Sequence, residues 1–246
     1  MSDNSISTAL DATTAAAMAS GKPLAERLRM VATHVRELSP PFATAVDTFV
    51  GRLNNAEAGG RAPKVGEALP NFVLPDQVGR LVSLAALLEQ GPVVVAFLRG
   101  HWCPYCRITA AALAEIAETT NALGARIVAI TPESRRYAPQ LMDDPGAAFP
   151  ILADIDNGYA ISLNLAIWVD EAMSGLIAGA GWDIPAYQGN AAWMLPIPAV
   201  FLIGSDGVVA ARHVNPDYRE RADIEAIIAS LQELATHPHT PNSATD

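Results

Sequence analysis

Two cysteines lie where an apolar run meets a helix-forming run, and this arrangement constrains the chain more than any other feature. Cys103 and Cys106 are the only cysteines among the 246 residues. The uniformly apolar run 93–98 precedes them and predicts a strand that is buried on both faces of a sheet. The run 108–123 follows them and predicts a helix. We therefore expect two thiols at the N-terminal end of a helix.

This position favours reactive thiols. A helix N-terminus presents unpaired backbone N–H groups and the positive end of the helix dipole, which stabilise a thiolate. Cysteines in such places have pKa values of roughly 3.5–7.5, against about 8.5 for a free thiol. The spacing places the two sulfurs close enough for a disulfide, and Pro104 suits the first helical turn. We interpret the pair as a thiol redox centre.

Residues near the pair are candidates for tuning it. Arg99 and Arg107 add positive charge that can stabilise a thiolate, whereas His101 is either a further tuning group or a solvated side chain. Trp102 either covers the disulfide or fills the edge of the core. Pro198 precedes a predicted strand and is a candidate for packing against the cysteines, in the cis or the trans form.

Two simpler interpretations compete with redox chemistry. A structural zinc site needs four ligands, and the cysteines supply two. Of the five histidines, His237 and His239 are the two that are close in sequence, and they lie near the C-terminus. Two inert buried thiols are the other alternative, which the strand-to-helix position makes less favourable. We expect no metal and no cofactor.

Charge and hydropathy exclude several partners. The net charge of −10 argues against nucleic acid and anionic membranes, because both require a basic surface. No apolar run reaches the roughly 18 residues of a membrane span. Residues 1–9 are mostly polar and lack the pattern of a secretory signal, so we expect a cytoplasmic protein.

The chain divides into three parts. Residues 1–62 form a helical extension, with a possible helix from about residue 7 and two amphipathic helices that begin near the prolines at positions 23 and 40. Residues 63–236 form the main domain, and residues 237–246 a disordered tail. Two helices are too small to hold a core alone, so they must pack on the main domain or on another subunit. We favour a homodimer.

Strand, helix and strand follow one another around the cysteines and predict a βαβ unit. The run 126–131 supplies the second strand, and the run 199–203 predicts a further strand in a hairpin. Residues 167–177 predict a helix. Residues 179–194 predict an irregular loop with aromatic contacts, and loops of this length are usually functional or form an interface.

The motif around the cysteines, with its flanks, resembles the peroxiredoxins of the alkyl hydroperoxide reductase/thiol-specific antioxidant family. The resemblance is greatest to a branch that carries Arg-Gly-x-Trp-Cys-Pro-Tyr-Cys and an N-terminal helical extension, and it covers roughly residues 23–235. The segments that carry it, in order, are Lys64–Gly66, Pro70–Asp76, Gly79–Leu84, Phe97–Cys106, Ile130–Glu133, Phe149–Asp154, Leu195–Ala199 and Asn215–Tyr218. It implies an α/β fold, a thioredoxin-like three-layer sandwich with a mixed central sheet.

The sequence departs from ordinary peroxiredoxins at one point. Those proteins carry Pro-x-x-x-Thr/Ser-x-x-Cys, in which the proline shields the reactive cysteine and the hydroxyl orients the peroxide. If Cys106 is the reactive cysteine, these positions hold Arg99 and Cys103, and if Cys103 is, they hold Ala96 and Gly100. Which cysteine attacks the peroxide stays open, although the more exposed first cysteine is the usual nucleophile of thioredoxin-like motifs.

The resemblance implies a thiol peroxidase, in which Cys103 and Cys106 pass through a sulfenic acid and a disulfide that a thioredoxin-like dithiol reduces. The substrate is hydrogen peroxide or an organic hydroperoxide. Two alternatives use the same residues: a thiol–disulfide oxidoreductase that acts on protein disulfides, and a non-enzymatic redox sensor whose helical extension binds a partner.

Overall fold

The structure is a computed structural model that describes residues 5–143 and 146–236. Its strands are β1 (Val73–Pro75), β2 (Leu81–Ser83), β3 (Val93–Phe97), β4 (Arg126–Thr131), β5 (Ile151–Ala153), β6 (Ala166–Trp168), β7 (Met194–Pro196), β8 (Ala199–Ile203) and β9 (Val209–Val214). A five-stranded sheet with the order β5-β4-β3-β8-β9 is the centre of the fold. In it β3 pairs parallel with β4 and antiparallel with β8, so the sheet is mixed.

The central strand β3 is buried on both faces, as its uniformly apolar sequence predicts. All five of its residues are at most 1% exposed. Val94 and Ala96 belong to a hydrophobic cluster on one face of the sheet, and Val93, Val95 and Phe97 belong to a second cluster on the other. Because side chains alternate along a strand, one strand serves both clusters.

Helices cover both faces of this sheet. They are α1 (Ile6–Ala19), α2 (Leu24–Leu38), α3 (Pro40–Asn55), α4 (Leu84–Leu88), α5 (Pro104–Glu115), α6 (Ala117–Ala122), α7 (Ala138–Asp143), α8 (Gly158–Ser162), α9 (Glu171–Gly179), α10 (Ile184–Gln188) and α11 (Ile224–Thr236). Helices α5 and α11 contribute to the first cluster, and α4 and α8 to the second. The prediction of a three-layer α/β sandwich with a mixed central sheet is confirmed.

The N-terminal extension packs on its own chain. Leu10 of α1, Leu28 of α2 and Val46 of α3 are all less than 5% exposed and belong to the same cluster as α5. Arg27 of α2 donates two hydrogen bonds to the carboxylate of Glu115 at the end of α5, with N–O distances of 2.5 and 3.0 Å. The sequence predicts that these helices pack on the main domain or on another subunit. In the structure they pack on the main domain.

Two secondary-structure predictions differ from the structure. Residues 167–177, predicted as one helix, divide into β6, which pairs with β7, and α9. The division occurs at Asp170, because its side chain accepts a hydrogen bond from the backbone N–H of Met173 and so caps the start of α9. The loop predicted over 179–194 contains the short helix α10, and the helix predicted over 108–123 is interrupted at Ile116.

The predicted tail 237–246 lies outside the described residues. The predicted boundary between residues 62 and 63 stays a prediction. Within the ranges that the structure describes, no helix has the length and apolar character that crossing a membrane requires.

Candidate active site

The two cysteines lie at the beginning of α5, directly after the loop that leaves β3. Cys103 is the residue before the first helical turn, and its extended backbone (φ −90°, ψ 113°) is typical of that position. Pro104 follows at the first helical position. A backbone N–H at this position has no hydrogen-bond partner within the helix, so the absence of one in proline costs nothing. Both thiols are free, and both are buried: Cys103 is 2% exposed and Cys106 is 0% exposed.

Two nitrogen donors approach the sulfur of Cys106. The backbone N–H of Arg99 donates to its Sγ at 3.2 Å, and Nη2 of Arg221 donates to it at 3.6 Å. Arg221 comes from the segment just before α11, 115 residues further along the chain. Its Nε and Nη1 atoms are buried without a hydrogen-bond partner among the described residues. Negative charge on the pair of sulfurs therefore meets donors that are already in place.

The pair ionises in two well-separated steps. Burial opposes the ionisation of Cys103, but the hydrogen bond with the Cys106 thiol and the charges of Arg99 and Arg221 lower the pKa of Cys103 to about 6. Burial, the same hydrogen bond and the charge on Cys103 raise the pKa of Cys106 well above its usual range. At neutral pH the pair therefore holds one proton.

Arg99 is fixed between two aromatic rings. Its guanidinium carbon lies 4.9 Å from the ring centre of Trp102 and 4.1 Å from that of Tyr218. Nε1–H of Trp102 donates to the carbonyl oxygen of Arg99 at 3.2 Å. The Nε–H of Arg99 is buried and has no hydrogen-bond partner in the described part of the chain.

A narrow cavity of about 40 Å³ adjoins Cys103, and its walls come from the extension as well as from the main domain. Because a water molecule needs about 10–15 Å³ by this measure, a molecule of a few heavy atoms fits. The main domain lines the cavity with Arg99, Trp102, Cys103, Pro198 and Tyr218, among others. The lining residues from α1, α2, α3 and α9 include Leu10, Val35, Phe42, Val46, Met173 and Ile177.

The structure brings most of the predicted site residues together. Arg99, Trp102, Cys103 and Pro198 line one cavity, and the described residues contain no cis peptide bond, so Pro198 is in the trans form. Arg107 instead donates to Asp11 of α1 at 2.8 Å, and its predicted role at the thiolate stays a prediction. No cluster of three His, Cys, Asp or Glu side chains suited to a metal ion occurs in the ranges described.

Sequence reasoning missed Arg221 and Tyr218. Both lie in a segment that reads as a turn before the last helix, more than a hundred residues from the cysteines. The signal available in the sequence was the density of arginine and aromatic residues at 218–221, which does not identify their partner. Only the packing of this segment beside α5 shows what they contact.

Residues 65–212 match the model of the AhpC/TSA family. Peroxiredoxin Q, chloroplastic, of Oryza sativa subsp. japonica is 32% identical over 117 residues, which are 48% of this chain and 52% of that protein. The thiol-disulfide oxidoreductase ResA of Bacillus subtilis is 31% identical over 104 residues, which are 42% of this chain and 57% of that protein. The chain thus spans little more than half the length of these relatives.

A solved structure shares the fold. The crystal structure of peroxidoxin BcpB from Mycobacterium tuberculosis superimposes with a TM-score of 0.55 at 20% identity. The superposition covers 70% of this chain and 98% of that one.

Proposed function

Because the chain belongs to the AhpC/TSA family, we propose that it is a thiol-dependent peroxidase that reduces hydrogen peroxide or organic hydroperoxides through Cys103 and Cys106. One observation carries the proposal: the thiol of Cys103 has a pKa of about 6 and adjoins a cavity with room for a few heavy atoms. A thiolate is the form that attacks peroxides, so this sulfur is ready to react at neutral pH.

The first step oxidises Cys103. Its thiolate attacks one peroxide oxygen, an S–O bond forms and the O–O bond breaks. The departing oxygen leaves as hydroxide or alkoxide and takes up a proton, which gives water or an alcohol. In our proposal the Nε–H of Arg99, which has no partner among the described residues, donates a hydrogen bond to a peroxide oxygen in a site that lacks the hydroxyl group of ordinary peroxiredoxins.

The second step forms the disulfide. Cys106 gives up its proton, its sulfur attacks the sulfur of the Cys103 sulfenic acid, and the S–O bond breaks. The hydroxide that leaves takes up a proton and departs as water. An external dithiol of the thioredoxin type then restores both thiols by two thiol–disulfide exchanges. We place this cycle in the cytoplasm, where reducing systems keep such dithiols supplied with electrons.

The second candidate is a thiol–disulfide oxidoreductase that acts on protein disulfides. Two observations favour this candidate. Pro198 lines the same cavity as Cys103, and the chain is similar to the thiol-disulfide oxidoreductase ResA. The burial of Cys103 beneath α1, α3 and α9 does not separate the two candidates, because a thioredoxin-like dithiol and a protein disulfide must reach the same pair of sulfurs. The third candidate, a redox sensor without turnover, uses the same pair.

We also propose a homodimer, whose interface uses surfaces other than the apolar faces of the N-terminal helices. The apolar faces of α2 and α3 are occupied within their own chain, so they are not available to a second copy. Exposed apolar side chains on the main domain include Trp168, Ile155 and Leu81, which are 62%, 68% and 71% exposed. Light scattering at micromolar concentration tests the dimer, and a monomeric mass would exclude it.

Stopped-flow measurement of peroxide consumption, with thioredoxin and its reductase as electron source, tests the function. We expect a second-order rate well above that of a free thiol at the same pH. Cys103→Ser abolishes the reaction, whereas Cys106→Ser still forms a sulfenic acid in one turnover. A rate equal to that of a free thiol, together with fast insulin reduction in the same preparation, would support the second candidate instead.

A further inference from the structure

The cavity beside Cys103 has few polar groups in its wall, and these are neighbours of one another. Arg99 lies with its guanidinium carbon 4.1 Å from the ring centre of Tyr218, and the ring of Tyr218 meets that of Tyr105 edge-on at 5.3 Å. Most of the other side chains that line the cavity are aliphatic or aromatic. A bound molecule therefore meets polar groups around the sulfur and hydrocarbon elsewhere.

The N-terminal extension supplies part of the hydrocarbon wall. Phe42 and Val46 lie one turn apart on α3, are 6% and 4% exposed, and both line the cavity. The ring centre of Phe42 lies 6.4 Å from that of Trp182, which lies 5.8 Å from that of Trp102 in the loop before α5. This wall precedes the residues that match the family, so the match carries no information on what it selects.

The volume of the cavity limits the group that it can hold. Its volume is about 40 Å³. A water molecule needs about 10–15 Å³ by this measure, and a cavity that binds benzene has about 150 Å³. A hydroperoxide with a short alkyl group, such as ethyl hydroperoxide, is of the size that fits. Cumene hydroperoxide carries a phenyl ring, which alone exceeds the space.

The apolar wall also distinguishes between small peroxides. Hydrogen peroxide has a hydroxyl group at each end, and both lose hydrogen bonds to water when the molecule enters the cavity. An alkyl hydroperoxide places one hydroxyl beside the sulfur and buries its alkyl group against the wall. One methylene group in a hydrophobic pocket changes the specificity of an enzyme by roughly 10- to 200-fold.

We propose that Phe42 and Val46 are specificity-determining residues that favour short-chain alkyl hydroperoxides over hydrogen peroxide and exclude those with aromatic groups. This inference rests on the proposed peroxidase function and names its substrate class. With ethyl hydroperoxide, the Cys103 thiolate attacks the terminal oxygen, an S–O bond forms and the O–O bond breaks. The ethoxide takes a proton from water and leaves as ethanol, and Cys103 becomes a sulfenic acid.

The first test compares three peroxides on the wild-type protein. Stopped-flow gives the second-order rate of Cys103 oxidation by hydrogen peroxide, ethyl hydroperoxide and cumene hydroperoxide, and each rate is divided by that of the same peroxide with a free thiol. We expect the ratio for ethyl hydroperoxide to exceed each of the other two at least about tenfold. Equal ratios, or the largest ratio for cumene hydroperoxide, overturn the proposal.

Phe42→Ala removes from the wall a phenyl ring, the same group that cumene hydroperoxide carries. We expect oxidation by cumene hydroperoxide, relative to ethyl hydroperoxide, to rise at least about tenfold. Because both peroxides react with the same protein, altered thiol reactivity or a smaller folded fraction cancels in this ratio.

Phe149→Ala is the matched control. Phe149 is 5% exposed and belongs to the same hydrophobic cluster as Phe42, but within the described part of the chain it does not line this cavity. Its substitution should leave the ratio unchanged. A shift in both variants, or in neither, overturns the proposal.

Val46→Ile is a milder variant that tests the proposal even if Phe42→Ala fails to fold. The added methyl group takes up space in the cavity, so the rate with ethyl hydroperoxide should fall at least about threefold relative to hydrogen peroxide. An unchanged ratio contradicts a role for this wall.

A further measurement needs no turnover. In the Cys106→Ser protein, in which Cys103 is the one thiol left, iodoacetamide labels Cys103 with and without 2-phenyl-2-propanol, the alcohol that cumene hydroperoxide would yield. We expect the alcohol to slow labelling after Phe42→Ala is added, and not after Phe149→Ala or without a further substitution. Slowing in all three proteins, or in none, overturns the proposal. Loss of the peroxidase function would instead appear as peroxide rates equal to those of a free thiol, so the two failures are distinguishable.

Discussion

Nη2 of Arg221 lies 3.6 Å from Sγ of Cys106, although 115 residues separate the two along the chain. This guanidinium and that of Arg99 are the two positive charges that lower the pKa of Cys103. The geometry makes the segment before α11 part of the candidate active site.

Replacing Arg221 by methionine removes one of these charges and keeps much of the side-chain volume. We expect the pKa of Cys103 to rise by about one unit and the peroxide reaction at pH 6 to slow about fivefold to tenfold. Arg126→Met, at the opposite end of β4 from residue 131, is the control and leaves the rate unchanged. The expectation fails if both variants titrate like the wild type.

The rate of peroxide consumption depends on pH through the first ionisation of the pair. Because the pKa of Cys103 is about 6, the thiolate fraction rises about tenfold between pH 5 and pH 7 and then levels off. Stopped-flow rates over this range test the midpoint. A rate that continues to rise up to pH 9 would show that Cys103 titrates as an ordinary thiol.

The same shift links stability to pH in the reduced protein. The pKa of Cys103 is 9.0 in the unfolded chain and about 6 in the folded one, so the unfolded state binds more protons between these values. The free energy of unfolding of the reduced protein therefore gains from Cys103 as the pH rises from 6 to 9, and loses that gain as the pH falls through 6. Denaturation of the wild type and of Cys103→Ser at several pH values tests this contribution, which is absent if the two proteins change in parallel.

The extension contributes to the core over Cys103, and a matched pair of leucines measures how much. Leu10 of α1 is 1% exposed and lines the cavity, whereas Leu38 at the end of α2 is 41% exposed. Leu10→Ala should lower the free energy of unfolding by about 2–4 kcal/mol, and Leu38→Ala by less than about 1 kcal/mol. Denaturant unfolding gives both values.

Leu10→Ala should also expose Cys103 to a bulky aromatic disulfide reagent, because the cover becomes looser. Faster labelling than in the Leu38→Ala protein is the expected result. Equal labelling rates would mean that the extension does not control access to the sulfur.

Gly100→Ala tests the close packing of the loop between β3 and α5 on Glu133, a buried residue whose carboxylate accepts a hydrogen bond from the backbone N–H of His101 and lies 2.6 Å from its Nδ1 atom. The substitution places a Cβ atom 2.3 Å from a buried, hydrogen-bonded side chain at a φ of +136°, so we expect a loss of at least about 2 kcal/mol of stability. Gly175→Ala in α9 is the control, since a Cβ there meets nothing within 4 Å. A helical glycine replaced by alanine should gain about 0.5–1 kcal/mol. Similar melting temperatures for the two variants would contradict this packing.

Local patterns predicted the central elements of the fold. The apolar run that became β3 is buried because a parallel neighbour and helices on both sides leave it no solvent-facing side. The helix predicted over residues 167–177 is confirmed at residues 171–177, which lie in α9, but residues 167–168 form a strand. There the pairing of β6 with β7, almost thirty residues further on, decides the outcome, and no local pattern reports it.

Part of the site was predictable because several of its residues are close together in the sequence. Cys103, Cys106, Arg99 and Trp102 lie within eight residues, so their proximity follows from the local chain. The contribution of Arg221 depends on the packing of a distant turn. The sequence also predicted that the helical extension must pack on something, but not that its inner face would lie over Cys103.

The limits of the family match and the limits of the folded unit do not coincide. The match begins at residue 65, whereas the cluster that contains α5 extends back to Leu10. A shortened chain that starts at the match would present the outer face of α5 and the wall of the cavity to water, as a contiguous apolar patch of the kind that drives aggregation. We therefore expect expression of this protein in soluble form to require the first three helices, and a chain cut at the start of the family match to aggregate.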